Sequence, residues 1–186
     1  SRNFAQEGFN ILYPKFDDLS NVASGMDNPN GYRFVEFPIY NVAQAGLYQV
    51  FKTLTLEEWG RVVSIISSTL SSIFIFLIVK RRASTRAALL SSFFFSLLPF
   101  SIYYGRIILP DPSMVAAILG GIYFFDLFLN REKWKWTFFV ISLILTASSF
   151  LLKPYALFFT IPMIYLSYEK FGLSIFKKWY LWTFVL

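Results

Sequence analysis

From residue 60 onwards the chain consists of long apolar blocks that short polar or charged segments separate. The first block, residues 60–79, has one charged side chain at its start and is long enough, at ~1.5 Å per residue, to cross a ~30 Å hydrocarbon layer. Further blocks occupy residues 87–104, 112–130, 137–152 and 155–168, and a last one begins at residue 179. The pattern predicts an all-α, polytopic membrane helical bundle, in which the fifth block is short for a full crossing and the last, residues 179–186, is truncated.

Residues 1–58 differ in composition, because polar, turn-rich sequence takes the place of the apolar blocks. After Pro38, apolar residues recur at helical spacing as far as Phe51, which predicts an amphipathic helix. Such a helix suits the membrane surface. We therefore divide the chain into a first loop with surface-lying juxtamembrane helices, residues 1–58, and a transmembrane part, residues 59–186.

Composition agrees with this division. The chain is 56% hydrophobic and only 15% charged, which is too apolar for a soluble domain. Its net charge of +6 comes from the membrane part: residues 1–58 carry four basic and seven acidic side chains, and residues 59–186 carry thirteen and four. The expected partners are thus membrane lipids and not nucleic acid.

The basic side chains also predict topology, since short cytoplasmic loops retain lysine and arginine. If the spans alternate, the opposite connections hold only Arg106 and Lys153. We expect residues 1–58 and the segment GRIILPDPSM, residues 105–114, to be extracytoplasmic, in a bacterial or archaeal plasma membrane. The residues that gather on the cytoplasmic side are Lys80, Arg81, Arg82, Arg86, Arg131, Lys133, Lys135, Lys170, Lys177 and Lys178.

Cysteine and histidine are both absent, which excludes disulfides, thiolate nucleophiles, Cys/His zinc sites and histidine-based catalytic triads. The sequence also has no GxxxxGK[ST], GxGxxG or HExxH motif. Any chemistry must use carboxylates, lysine, arginine, hydroxyl groups or the backbone. Because the chain lacks an initial methionine and stops within an apolar run, we expect an internal piece of a larger membrane protein.

Asp111 is the first candidate site residue. It precedes Pro112 at the start of a predicted helix, so N-capping alone would account for it. Arg106 is harder to explain, because an outward-facing cation opposes the charge bias and would pair with Asp111 beside Tyr104 in a polar pocket. Snorkelling of Arg106 to lipid phosphates is the alternative.

Lys153 repeats this pattern, as a second lone cation on the outer side, with the same snorkelling alternative. Two such cations suit a lipid-linked phosphate. Glu36, just before Pro38, either complements a helix dipole or acts with Asp111 as an acid/base pair. Glu36 and Asp111 are also candidate ligands for a divalent cation such as Mg²⁺, Mn²⁺ or Zn²⁺. Asp126 is expected to reach the interface or to pair with Arg131 or Lys133.

In this order, the segments SRNFAQEGFNILYP, EFPIYN, GRVVS, GRIILPDPSM and LLKPYALF resemble the membrane part of GT-C glycosyltransferases. The similarity is greatest to bacterial relatives of protein O-mannosyltransferases and to the lipid A aminoarabinose transferase. It implies an inverting transferase that moves a sugar from a polyprenyl-phosphate donor to a protein, lipid or glycan acceptor outside the cytoplasm.

The resemblance also assigns roles to individual residues. Asp111 looks like the family's second acidic residue, and Glu36 stands where the aminoarabinose transferase has Glu-Lys-Pro, with Phe37 in place of the lysine. Asp111 and Glu36 are thus the catalytic candidates, and Arg106, Lys153 and Tyr104 the donor-phosphate candidates. The principal first-loop acid is expected upstream of Ser1, so we expect residues 1–186 alone to be inactive.

Two other classes of function fit the same spans. A transporter or flippase of a lipid-linked intermediate also places polar residues along its pathway. A structural membrane subunit needs no chemistry at all. The chain shows no repeated pair of broken spans, as a transporter usually would, and its polar first loop favours the transferase.

Overall fold

The computed structural model describes residues 1–16, 25, 27–32 and 36–184. The described residues are helical and contain no β-strand, only an isolated bridge between Lys15 and Tyr32, so the all-α prediction is confirmed. Asp17 and Asp18, which the turn-rich sequence around them predicts to be solvated turn residues, lie outside the described residues. The α-helices are α1 (Arg2–Glu7), α2 (Ile39–Val50), α3 (Leu56–Arg82), α4 (Thr85–Leu97), α5 (Pro99–Tyr104), α6 (Asp111–Asn130), α7 (Lys135–Leu152) and α8 (Ile161–Phe171). Short 3₁₀ segments follow at Pro154–Thr160, Gly172–Lys177 and Trp179–Phe184.

Three helices are long and apolar enough to cross a membrane, namely α3, α6 and α7. The predicted span 87–104 is instead divided between α4 and α5, because Pro99 cannot donate a backbone hydrogen bond to continue α4. The apolar run 155–168 forms a 3₁₀ segment followed by the 11-residue α8. The sequence therefore located the apolar blocks correctly and missed the interruptions within two of them.

Helix α6 is the centre of the bundle and packs against α3 and α7. Twelve of its 20 residues are buried. Gly121 allows α7 to approach closely, since a Cβ at this position would lie 2.5 Å from the Thr146 hydroxyl oxygen. The Ser142 hydroxyl also donates to the Gly121 carbonyl oxygen, at 2.8 Å.

Helix α3 buries its small and polar side chains and exposes its large apolar ones, as expected for a helix that faces lipid. Its buried residues are small or polar, Gly60, Ser64, Ser67 and Ser71, whereas large side chains such as Ile65, Ile66 and Leu70 are exposed. Interfaces between membrane helices favour small residues and hydroxyl groups, because lipid already solvates the apolar surface. One such contact joins the hydroxyl groups of Ser67 and Ser113, at 2.8 Å, and so ties α3 to α6.

The amphipathic α2 is present as predicted and is fixed onto the N-terminal end of α3. The buried Tyr40 donates its hydroxyl proton to the Gly60 carbonyl oxygen at 2.7 Å, and Gln44 donates to the Leu56 carbonyl oxygen at 2.8 Å. A Cβ on Gly60 would lie 2.6 Å from the Gln44 amide nitrogen, so only glycine permits this approach. Helix α2 is thereby held against the first turns of α3.

At the opposite end of the bundle, the buried Asp126 pairs with Arg81 and Arg82 of α3. The prediction that Asp126 pairs with Arg131 or Lys133 is wrong. The backbone becomes extended at Arg131, directly after α6. Helices α3 and α6 pack in parallel, so the last turn of α3 lies beside Asp126. Arg82 also contacts Glu169 of α8 at 2.5 Å, so three helices meet here.

Candidate active site

Four polar side chains from separate elements meet at the end of the bundle where α6 begins and α7 ends. Asp111 opens α6, Lys153 follows the last residue of α7, Tyr155 lies in the next 3₁₀ segment, and Glu36 precedes α2. The backbone N–H of Phe37 donates to the Leu151 carbonyl oxygen at 2.9 Å, which joins the first loop to α7 beside these residues. We call Glu36, Asp111, Lys153 and Tyr155 the carboxylate cluster.

Lys153 lies between the two carboxylates of this cluster. Its ammonium group donates a hydrogen bond to Glu36 Oε1 and lies 3.8 Å from Asp111 Oδ2. The Lys153 side chain is 19% exposed, and those of Glu36 and Asp111 are each 33% exposed. All three are sheltered but reachable, as residues that meet a substrate must be.

The structure changes the interpretation of both carboxylates. Helix α6 begins at Asp111 itself, with no side-chain capping bond, so N-capping does not explain this residue. Its charge still suits the first turn of a helix. Glu36 lies outside the first turn of α2, which contains no acidic residue, and it is held by Lys153 instead.

Tyr155 is a site residue that the sequence analysis missed. Its hydroxyl donates a hydrogen bond to Asp111 Oδ1 at 2.5 Å. Tyr155 follows α7 and lies outside the three helices of crossing length. Its pKa is raised to about 12 by desolvation, by this hydrogen bond and by the negative charges of Asp111 and Glu36. The phenol is therefore a protonated donor to Asp111 at neutral pH.

A groove of about 440 Å³ opens beside the cluster and has Asp111, Tyr155 and Tyr104 among its lining residues. Tyr104 is thus brought together with Asp111, as expected. Gly105 also lines this groove and packs tightly on α3, since a Cβ there would lie 2.7 Å from the Ser68 hydroxyl oxygen. The mixture of aromatic and polar walls suits a ligand with both a polar head and an apolar chain.

Arg106 lies in a neighbouring groove and not against Asp111. Among the ion pairs of the described residues, Asp111 pairs with Lys153. Arg106 instead lines a groove of about 580 Å³ together with Arg61, near the N-terminal end of α3. It also lines a polar groove of about 400 Å³ that shares Ser68, Ser101 and Gly105 with the Asp111 groove. Arg106 therefore lines the groove next to that of Asp111, and Arg61 is connected to this region only through the groove that it shares with Arg106.

Arg61 is a candidate that the sequence does not single out, because a charged residue at the start of an apolar block resembles an ordinary interfacial residue. Only the fold shows that it shares a groove with Arg106, 45 positions later in the numbering. Paired guanidinium groups are a recurring way to bind phosphate.

The two carboxylates do not form a complete site for a divalent cation in this arrangement. Among the described residues, no group of three or more carboxylate, thiol or imidazole side chains lies together. The Lys153 ammonium contacts both carboxylates. A Mg²⁺ ion held by Glu36 and Asp111 would take its other ligands from water or a substrate phosphate.

Comparison with known proteins places this geometry in context. A family model described as dolichyl-phosphate-mannose-protein mannosyltransferase matches residues 29–186. No curated protein and no solved structure is significantly similar to the chain. The matched range includes the whole carboxylate cluster, Tyr104 and both arginines.

Proposed function

The chain belongs to the dolichyl-phosphate-mannose-protein mannosyltransferase family, and from this premise we propose that it transfers a sugar from a polyprenyl-phosphate donor to a protein, lipid or glycan acceptor outside the cytoplasm. One observation carries the proposal: the groove that Asp111 lines shares Ser68, Ser101 and Gly105 with a groove that Arg106 lines, so a candidate general base and a candidate phosphate-binding cation occupy neighbouring grooves. The family match also favours a transferase over a transporter or a structural subunit.

Asp111 acts on the acceptor in this proposal. Its carboxylate accepts the proton of the acceptor hydroxyl or amine as the nucleophile forms a bond to the anomeric carbon. The bond between that carbon and the phosphate oxygen breaks, and its electron pair leaves with the polyprenyl phosphate. Attack from the face opposite the phosphate inverts the anomeric configuration.

The leaving phosphate requires cations that are already in position. Arg106 supplies a guanidinium group in the groove next to that of Asp111, and Arg61 shares a further groove with Arg106. In this proposal the two arginines stabilise the charge that develops on the phosphate oxygen. Tyr104 lines the Asp111 groove. Lys153 is paired with Glu36 and Asp111. It therefore stabilises the phosphate only by electrostatic attraction at a distance and not by direct contact.

The orientation in the membrane follows the charge distribution. The end with the cluster carries few cations, whereas the end with Arg81 and Arg82 receives most of the basic residues of the membrane part. By the positive-inside rule, the cluster faces away from the cytoplasm. A lipid-linked donor at the outer leaflet would reach the groove directly from the membrane.

The test is Asp111→Asn in the full-length protein, assayed with a radiolabelled polyprenyl-phosphate sugar. Asparagine keeps the shape and still accepts the hydrogen bond from Tyr155, so the fold should persist while the rate falls by at least about 100-fold, as expected for a lost general base. Asp27→Asn, which changes an exposed aspartate in the first loop, is the matched control and should leave the rate unchanged. An Asp111→Asn rate within about threefold of wild type would refute the proposed role.

A further inference from the structure

We propose that the Lys153 ammonium group takes the place, between Glu36 and Asp111, that a divalent cation would otherwise occupy, so that the site needs no resident metal ion. The part of this inference that concerns catalysis rests on the proposed function. The part that concerns cation binding depends only on the geometry of the three side chains.

The three charged groups come from parts of the chain that only the fold brings together. Glu36 belongs to the first loop and lies 117 positions from Lys153 in the sequence, while Asp111 opens the central helix. Lys153 is the member of the cluster that reaches both, through a hydrogen bond to Glu36 and a 3.8 Å approach to Asp111. It thereby links the first loop to the start of α6, as a bridging cation would.

Charge compensation is the physical reason for this assignment. Two adjacent carboxylates repel each other and need at least one positive charge nearby. Lys153 supplies it and leaves the cluster with a net charge of about −1. At a separation of ~4 Å and an effective dielectric constant of ~20, repulsion by an ammonium group weakens the binding of a cation by about a thousandfold for each positive charge that the cation carries. A dication must therefore displace Lys153 before it can bind.

An ammonium group also suits the task that the cluster performs. It holds Asp111 in place without consuming both carboxylate oxygens, since its contact with Oδ2 is long and Tyr155 occupies only one position on Oδ1. The carboxylate keeps free acceptor positions for the incoming nucleophile. A tightly bound dication would instead withdraw electron density from Asp111 and lower its basicity.

The experiment measures Mn²⁺ binding to the full-length, chelator-treated protein in detergent by electron paramagnetic resonance. Wild type and Asp111→Asn should bind Mn²⁺ equally weakly. Lys153→Met, which keeps the side-chain length without the charge, should bind at least about tenfold more tightly, and adding Asp111→Asn should abolish the gain. Lys15→Met, which breaks the exposed 2.8 Å pair with Glu7, is the matched control and should change nothing.

Two results would overturn the inference. One is Mn²⁺ binding by wild type that Asp111→Asn removes, and the other is a folded Lys153→Met protein that gains no affinity. If Lys153→Met does not fold, the comparison of wild type with Asp111→Asn still decides the question: equal binding supports the inference, and binding that depends on Asp111 overturns it.

Activity provides a separate readout. Sugar transfer by wild type should be unaffected by a chelator, and loss of transfer that Mn²⁺ restores would overturn the catalytic part. If no polyprenyl-phosphate sugar is turned over at all, the proposed function fails, while the Mn²⁺ measurement still decides the role of Lys153.

Discussion

Replacing Asp126 by asparagine tests which contacts hold the membrane helices together. The Asp126 side chain is only 7% exposed and pairs with Arg81 and Arg82 of α3, whose side chains are 25% and 35% exposed. The Asn130 side-chain amide donates to the same carboxylate at 3.1 Å. Asp126→Asn keeps the volume but leaves two guanidinium groups facing a neutral amide.

The magnitude follows from the burial of the two partners. Removing one member of a fully buried pair costs about 3–5 kcal/mol, because the other charge remains buried without compensation. The arginines here are partly exposed, and their long side chains can move toward the interface. We therefore expect the free energy of unfolding to fall by about 2–3 kcal/mol.

The assay is reversible unfolding in mixed micelles of mild detergent and sodium dodecyl sulfate, followed by tryptophan fluorescence. Glu132→Gln is the matched control, since Glu132 is 91% exposed and lies 3.9 Å from Lys135. It should change the free energy of unfolding by less than about 0.5 kcal/mol. If Asp126→Asn is as stable as Glu132→Gln, the ion pairs with Arg81 and Arg82 do not hold the helices together, and the reasoning is refuted.

Three further predictions concern single contacts. Tyr40→Phe should lower the free energy of unfolding by about 1–2 kcal/mol, because it removes the buried hydrogen bond to the Gly60 carbonyl; an unchanged unfolding curve would argue against this anchor of α2. Gly121→Ala should destabilise the protein by about 1–3 kcal/mol, since its Cβ would lie 2.5 Å from the Thr146 hydroxyl; a stabilising effect in the same assay would show that α7 shifts freely. Tyr155→Phe should slow sugar transfer by about tenfold without altering stability, because it removes one hydrogen bond to Asp111; equal rates would exclude Tyr155 from the site.

Local pattern was sufficient to predict an all-helical chain and the amphipathic α2. The apolar blocks are continuous in sequence, and helix formation depends mainly on neighbours three and four positions apart. The break at Pro99 was also locally encoded, yet the apolar residues on both sides of the proline concealed it. A proline inside a predicted span should therefore be treated as a helix boundary.

Long-range partners were not predictable in the same way. Asp126 was assigned to basic residues close in sequence, whereas the structure pairs it with Arg81, 45 positions away. Lys153 and Glu36 were each singled out for charge, but nothing in the sequence indicated that they contact each other. Tyr155 was missed because, within an apolar run, an aromatic residue usually faces lipid.

The two carboxylates of α6, Asp126 and Asp111, illustrate why only one of them is a candidate for chemistry. Guanidinium groups engage both oxygens of Asp126, the Asn130 amide adds a further donor, and the residue is 5% exposed. An acceptor proton cannot reach it without breaking ion pairs that hold three helices. Asp111 accepts one hydrogen bond from Tyr155, lies 3.8 Å from an ammonium group and opens onto a groove, so its remaining acceptor positions face space where a substrate fits. The same side chain at opposite ends of α6 thus stabilises the bundle at one end, and at the other end it has the open acceptor positions that the proposed proton transfer requires.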